Sequence, residues 1–89
     1  MNQDIEALRR NIDLVEDKLI SLLNERAKYA LEIGKIKHRQ GLPIVDSNRQ
    51  EMILSRVAEK NPGPMSNKFM VDIFKKIIEE SVSMECESR

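Results

Sequence analysis

Ten positions near the start of the chain alternate spacings of three and four without a slip: Ile5, Leu8, Ile12, Val15, Leu19, Leu22, Arg26, Tyr29, Ile33 and Ile36. That alternation is the a/d seam of a heptad repeat, so one continuous helix is predicted over residues 4–40. About 37 helical residues at about 1.5 Å each make a rod of roughly 55 Å. A compact domain of 89 residues has a radius of gyration of only about 12 Å and a diameter near 30 Å. The remainder of the chain cannot cover such a rod along its whole stripe. The simplest cover is a second copy, related by a twofold axis that sets two long helices side by side and antiparallel.

Gly and Pro break the chain at Gly41 with Pro43 and again across Asn61 to Pro64. Between these breaks the periodicity is helical, so two shorter helices are predicted over 46–60 and 66–86. The fold class is all-α: three helices, one very long and N-terminal, in a single domain spanning 1–89. Asp46 or Ser47 is expected to cap the second helix, with Ser47 and Gln50 fitting a capping box. Its apolar set is thin: Met52, Ile53, Val57 and Ala58. Ser66 is expected to cap the third, whose stripe runs through Met70, Ile73, Phe74, Ile77 and Ile78 before turning polar at Ser81 and Glu85. The closing residues, "ECESR", are expected to fray.

Composition excludes several classes. Fifteen Lys and Arg balance fifteen Asp and Glu, which gives no general attraction to nucleic acid or to an anionic membrane. One Tyr, two Phe and no Trp make a base-stacking platform improbable. Cys86 and His38 are each the sole residue of their type, so neither a disulfide framework nor a closed metal site is expected. No apolar run approaches the roughly 20 residues of a membrane span, and the start carries no signal-peptide pattern. A lone thiol suits a reducing cytoplasm.

What remains unexplained is charge placed against apolar stripes. Arg26 occupies an a position inside the seam, and Lys37 ends the flanking e column of Arg9, Glu16, Leu23, Ala30 and Lys37. Burying a cation costs several kcal/mol, of the order of a lost ion pair, unless something pairs with it. Arg49 lies one turn before Ile53, near the core side of the second helix. Each has a bland reading. Arg26 can fix register, Lys37 can snorkel, Arg49 and Glu85 can be solvated, and Ser81 can bond back to the preceding turn. Several cations beside apolar stripes on different helices, with a polar ending on a third, favour an anionic ligand.

The stretches "ALRRNIDLVEDKLISLLNERAKYALEIGKIK", "GLPIVDSNRQEMIL" and "FKKIIEESVSMECE" resemble the all-α chorismate mutases, the intertwined homodimers of the shikimate pathway. The resemblance covers about residues 4–86. It implies an isomerase of phenylalanine and tyrosine biosynthesis that rearranges chorismate to prephenate without a cofactor, metal or covalent intermediate. Carried over by position, it implies that Arg26 clamps one substrate carboxylate and that Arg9, from the partner subunit, clamps the other. Lys37 would meet the ether oxygen, as would the position of Glu85. Arg49 would hold the carboxylate end, Asp46 and Gln50 the ring hydroxyl, and Ser81 a carboxylate. Two positions depart from the commoner pattern: Gln50 stands where Glu is usual, and Glu85 where many members carry Gln. Only the neutral acid of Glu85 can donate to an ether oxygen. Three other readings remain: an isochorismate-pyruvate lyase on the same fold, a regulatory module for a 3-deoxy-arabino-heptulosonate-7-phosphate (DAHP) synthase bound in trans, and a purely structural helical dimer, which explains the heptads but not Arg9, Arg26, Lys37 and Arg49 together.

Overall fold

The structure, a computed structural model, describes residues 2–88. Three helices follow in order: α1 over Gln3–Gln40, α2 over Ser47–Lys60 and α3 over Asn67–Glu87. Among the described residues all regular structure is helical.

Each helix starts and stops for a local reason. The Asn2 side chain accepts from the backbone N–H of Asp4 and Ile5, and Asp4 and Glu6 place negative charge at the positive end of α1. At the other end Gly41 takes φ 66°, the left-handed conformation that Gly enters without a Cβ clash. Its own N–H reaches the His38 carbonyl (3.4 Å), and Leu42 N–H reaches the Lys37 carbonyl (2.9 Å). This is a Schellman stop, and it turns the chain sharply out of α1. Asp46 caps α2 by accepting from Arg49 N–H at 3.0 Å. Ser47 is therefore the first helical residue, and the expected Ser47–Gln50 capping box does not form, because a box needs its acceptor one position before the helix. Ser66 caps α3 through Phe69 N–H, as expected.

Helix α3 is the centre of the arrangement: it packs against the C-terminal part of α1 and against α2. The apolar core is small, with Ala30, Ile53 and Ile78 buried. On α2, Leu54 is half-buried, whereas Met52, expected in the core, is exposed. Both buried residues of α1, Ala30 and Gly34, lie in its C-terminal third. The apolar seam before them is bare, with relative exposure from 46% at Ile5 to 62% at Leu8 and Val15.

The molecule measures 58 × 25 × 15 Å with a radius of gyration of 16.6 Å, well above the roughly 12 Å of a compact chain of this length. Its accessible surface is 7334 Å², against about 5,400 Å² for a compact monomer of this mass. The apolar face of a rod has no partner within one chain.

The C-terminus departs from expectation. Residues 85–87 are the last turn of α3 rather than a frayed end, and Glu85 and Ser88 are both buried. Ser88 Oγ donates to the Leu31 carbonyl at 2.6 Å, which ties that end of α3 to α1.

Candidate active site

A cavity of about 320 Å³ opens where α1, the start of α2 and the end of α3 meet. Arg26 and Lys37 enter it from α1, Asp46 and Arg49 from the start of α2, and Ser81 and Glu85 from α3, with Tyr29, Ala30, Ile33 and Ile53 as its apolar wall. Helical geometry explains the set. Positions 26, 30, 33 and 37 share one face of α1, 46, 49 and 53 one face of α2, and 81 and 85 one face of α3.

Arg26 Nη1 donates a short hydrogen bond to Ser81 Oγ, and Ser81 Oγ donates to the Ile77 carbonyl at 3.0 Å. Ser81 thus bonds back along its own helix and also faces the site. Burial pushes the Arg26 pKa down, and the neighbouring cations Arg49 and Arg56 push it further, while Glu85 opposes them. A guanidinium stays protonated through such a shift. Its charge is held against desolvation and like charge, and an anion bound there would offset both.

Lys37 is pinned at two points. Its Nζ donates to the Ile44 carbonyl at 2.8 Å and lies 2.8 Å from Glu85 Oε1. The two side chains are only 18% and 11% exposed, so neither is a solvated surface group. The Lys37–Glu85 contact has ion-pair distance without hydrogen-bond alignment, and Glu85 Oε1 has no hydrogen-bond donor. Arg49 lies on the exposed rim of the cavity.

Two expected residues stand elsewhere. Gln50 does not line the cavity. It is half-buried in a separate groove with Leu54, Ile78 and Val82, because one residue along α2 turns a side chain about 100° away from Arg49. Arg9 is exposed and paired with Glu6 of its own helix at 3.1 Å. It lies 17 residues before Arg26, roughly 25 Å along α1, so one chain does not bring the two together.

Two residues near the site carry more than sequence reasoning gave them. A Cβ on Gly34 would stand 2.8 Å from Glu85 Cα and 2.9 Å from Ser88 Cβ, so α3 approaches α1 as closely as it does only over a glycine. His38 Nε2 lies 2.9 Å from the Glu85 carbonyl oxygen. The signal was present as a second stripe on α1, Leu31, Gly34 and His38, spaced three and four apart. No group of three His, Cys, Asp or Glu side chains converges as a metal site among the described residues.

These features define an all-helical domain with a small cation-rich cavity built at a three-helix junction. The chorismate mutase type II profile matches residues 8–86, and the chain belongs to that family. It is 33% identical over 87 residues to a bifunctional chorismate mutase/prephenate dehydratase of Aquifex aeolicus, covering 93% of this chain and 24% of that protein. It is likewise 33% identical over 86 residues to a T-protein of Enterobacter agglomerans, covering 96% of this chain and 23% of that protein. The chain thus spans about a quarter of the length of the curated relatives it matches. Among solved structures, chorismate mutase (form II) of Thermus thermophilus superposes with a TM-score of 0.90 at 35% identity, covering 92% of this chain and 93% of that one. Chorismate mutase from Helicobacter pylori in complex with prephenate gives a TM-score of 0.88 at 25% identity, covering 98% and 94%. The relatives name the mutase, which does not support the lyase and purely structural readings.

Proposed function

We propose that the chain works as a chorismate mutase in a twofold homodimer, rearranging chorismate to prephenate by a 3,3-sigmatropic shift. The observation that carries this reading is the convergence of Arg26, Lys37 and Arg49 on one cavity of substrate size, with Ser81 beside Arg26 and an apolar wall between the charges. Chorismate is a dicarboxylate whose enol-ether side chain must fold over its ring. Arg26, with Ser81, binds one carboxylate in the bidentate manner that guanidinium favours. Arg49 supports that end from the rim, and Asp46 accepts from the ring hydroxyl. Lys37 Nζ meets the ether oxygen, where negative charge grows as the C–O bond breaks.

The charge balance supports a second subunit. Three cations of the cavity face two carboxylates, Asp46 and Glu85, which leaves one net positive charge against a dianionic substrate. Arg9 of a partner, carried in by an antiparallel α1, supplies the second. The surface supports it too: about 1,900 Å² per chain beyond a compact monomer is of the size that obligate homodimers bury. A second copy accounts for both the bare seam and the missing charge.

Catalysis then rests on two terms. A rate gain of about 10⁶ requires about 8 kcal/mol. Preorganised charge at the breaking bond is worth about 3–4 kcal/mol per donor, and holding the side chain in a near-attack geometry supplies the rest. The test is direct. Purified protein mixed with chorismate should remove its ultraviolet absorbance as prephenate forms. Absorbance that decays no faster than in buffer contradicts the reading.

A further inference from the structure

Three contacts converge on the backbone of one residue. The Glu85 carbonyl oxygen stands at the C-terminal end of α3, where helical carbonyls lack intrahelical partners. It accepts from Ser88 N–H at 3.3 Å and faces His38 Nε2 at 2.9 Å. A carbonyl only accepts, so the proton of the imidazole sits on Nε2. Gly34 meanwhile lets Glu85 Cα seat directly on α1, and the Ser88 hydroxyl anchors the next turn to Leu31. His38 follows Lys37 in sequence, and Gly34 precedes Lys37 by three residues. The backbone that carries Lys37 and the backbone that carries Glu85 are therefore tied together where the two side chains meet at 2.8 Å.

We propose that His38 is a positioning residue for the mutase reaction: its Nε2–H bond to the Glu85 carbonyl sets the last turn of α3 against α1 and so fixes Glu85 opposite Lys37. This inference rests on the proposed function, which makes the Lys37–Glu85 pair the part of the site that faces the breaking bond. Arg26, Arg49 and Ser81, which hold the carboxylate end, do not depend on His38. Loosening the bond acts on an interaction made at the transition state and spares ground-state binding, so it lowers kcat and leaves KM.

His38→Leu removes the donor, whereas His38→Gln keeps an amide N–H that can reach the same carbonyl. We expect His38→Leu to lower kcat about tenfold, a fraction of what a misplaced catalytic group can cost, with KM within about twofold. His38→Gln should recover most of the loss, with unchanged helix content in both. In a Glu85→Ala background, which keeps the carbonyl, His38→Leu should have no further effect on kcat. Backbone hydrogen exchange of residues 85–88 should be about 2- to 10-fold faster in His38→Leu, the scale of one hydrogen bond. Unchanged exchange and kcat in His38→Leu would overturn the proposal, as would an equal kcat loss with and without the Glu85 carboxylate. If the wild type itself leaves chorismate intact, the proposed function fails, and the exchange rates alone still support or overturn the tie between His38 and Glu85.

Discussion

Lys37 and Glu85 form an ion pair at 2.8 Å inside the cation-rich cavity, and Lys37 is held from the other side by the Ile44 carbonyl. In the proposed reaction, the group that stabilises charge on the breaking C–O bond would thus sit beside a carboxylate that offsets its field. An ionised carboxylate only accepts, while a protonated one donates. An amide donates where an ionised carboxylate cannot, so Glu85→Gln should raise kcat/KM above that of the wild type with unchanged helix content. An unchanged kcat/KM would remove Glu85 from the chemistry.

Lys37→Ala should lower kcat by about 10²–10³, the usual effect of deleting one preorganised donor. Its effect on KM should be smaller, since the ether oxygen gains charge only as the bond breaks. Steady-state kinetics at saturating chorismate checks this.

Arg26→Ala should remove activity without unfolding the protein. The Arg26 pKa is pushed down by burial and by Arg49 and Arg56, so its charge is held at a cost to the fold. Ser81 Oγ keeps its own bond to Ile77 after the guanidinium is gone. We expect kcat/KM to drop by at least about 10², as for truncating a hydrogen-bonded charge pair, with stability within about 1 kcal/mol of wild type. A changed oligomeric state or a lost fold would favour the register-fixing role instead.

Gly34→Ala sets propensity against packing. In an isolated helix it would gain about 1 kcal/mol. Here the new methyl meets the backbone of Glu85 at 2.8 Å, so the last turn of α3 must move away. Overpacking of this kind costs about 1–3 kcal/mol, so packing prevails. Thermal unfolding should show net destabilisation, and kcat should fall with the displacement of Glu85.

The same glycine marks where the sequence stopped being legible. The helices could be read because heptad spacing and Gly/Pro breaks are local, and the structure returns α1, α2 and α3 within a residue or so of the expected bounds. Arg26, Lys37 and Arg49 stood out because each is a cation on an apolar face, which needs no knowledge of what lies across from it. Gly34 and His38 share a stripe with Leu31, but what that stripe meets lies in α3, 51 and 47 residues away at Glu85. The role of Gln50 came from similarity, and the groove it shares with Leu54, Ile78 and Val82 is not written in the local spacing of α2. The C-terminal turn read as frayed because nothing in "ECESR" signals the Ser88 bond to Leu31.

The central claim, that each active site is assembled from two chains, has a direct test. Arg9→Ala and Lys37→Ala should each be inactive alone. Mixed under conditions of proven subunit exchange, they form heterodimers in which one site joins an intact Lys37 to the partner's intact arginine. Random exchange of equal amounts should therefore restore about a quarter of wild-type activity, since half the dimers are mixed and one of their two sites is whole. Exchange without any recovery would place Arg9 and Lys37 of the same chain in one site, and would contradict the account.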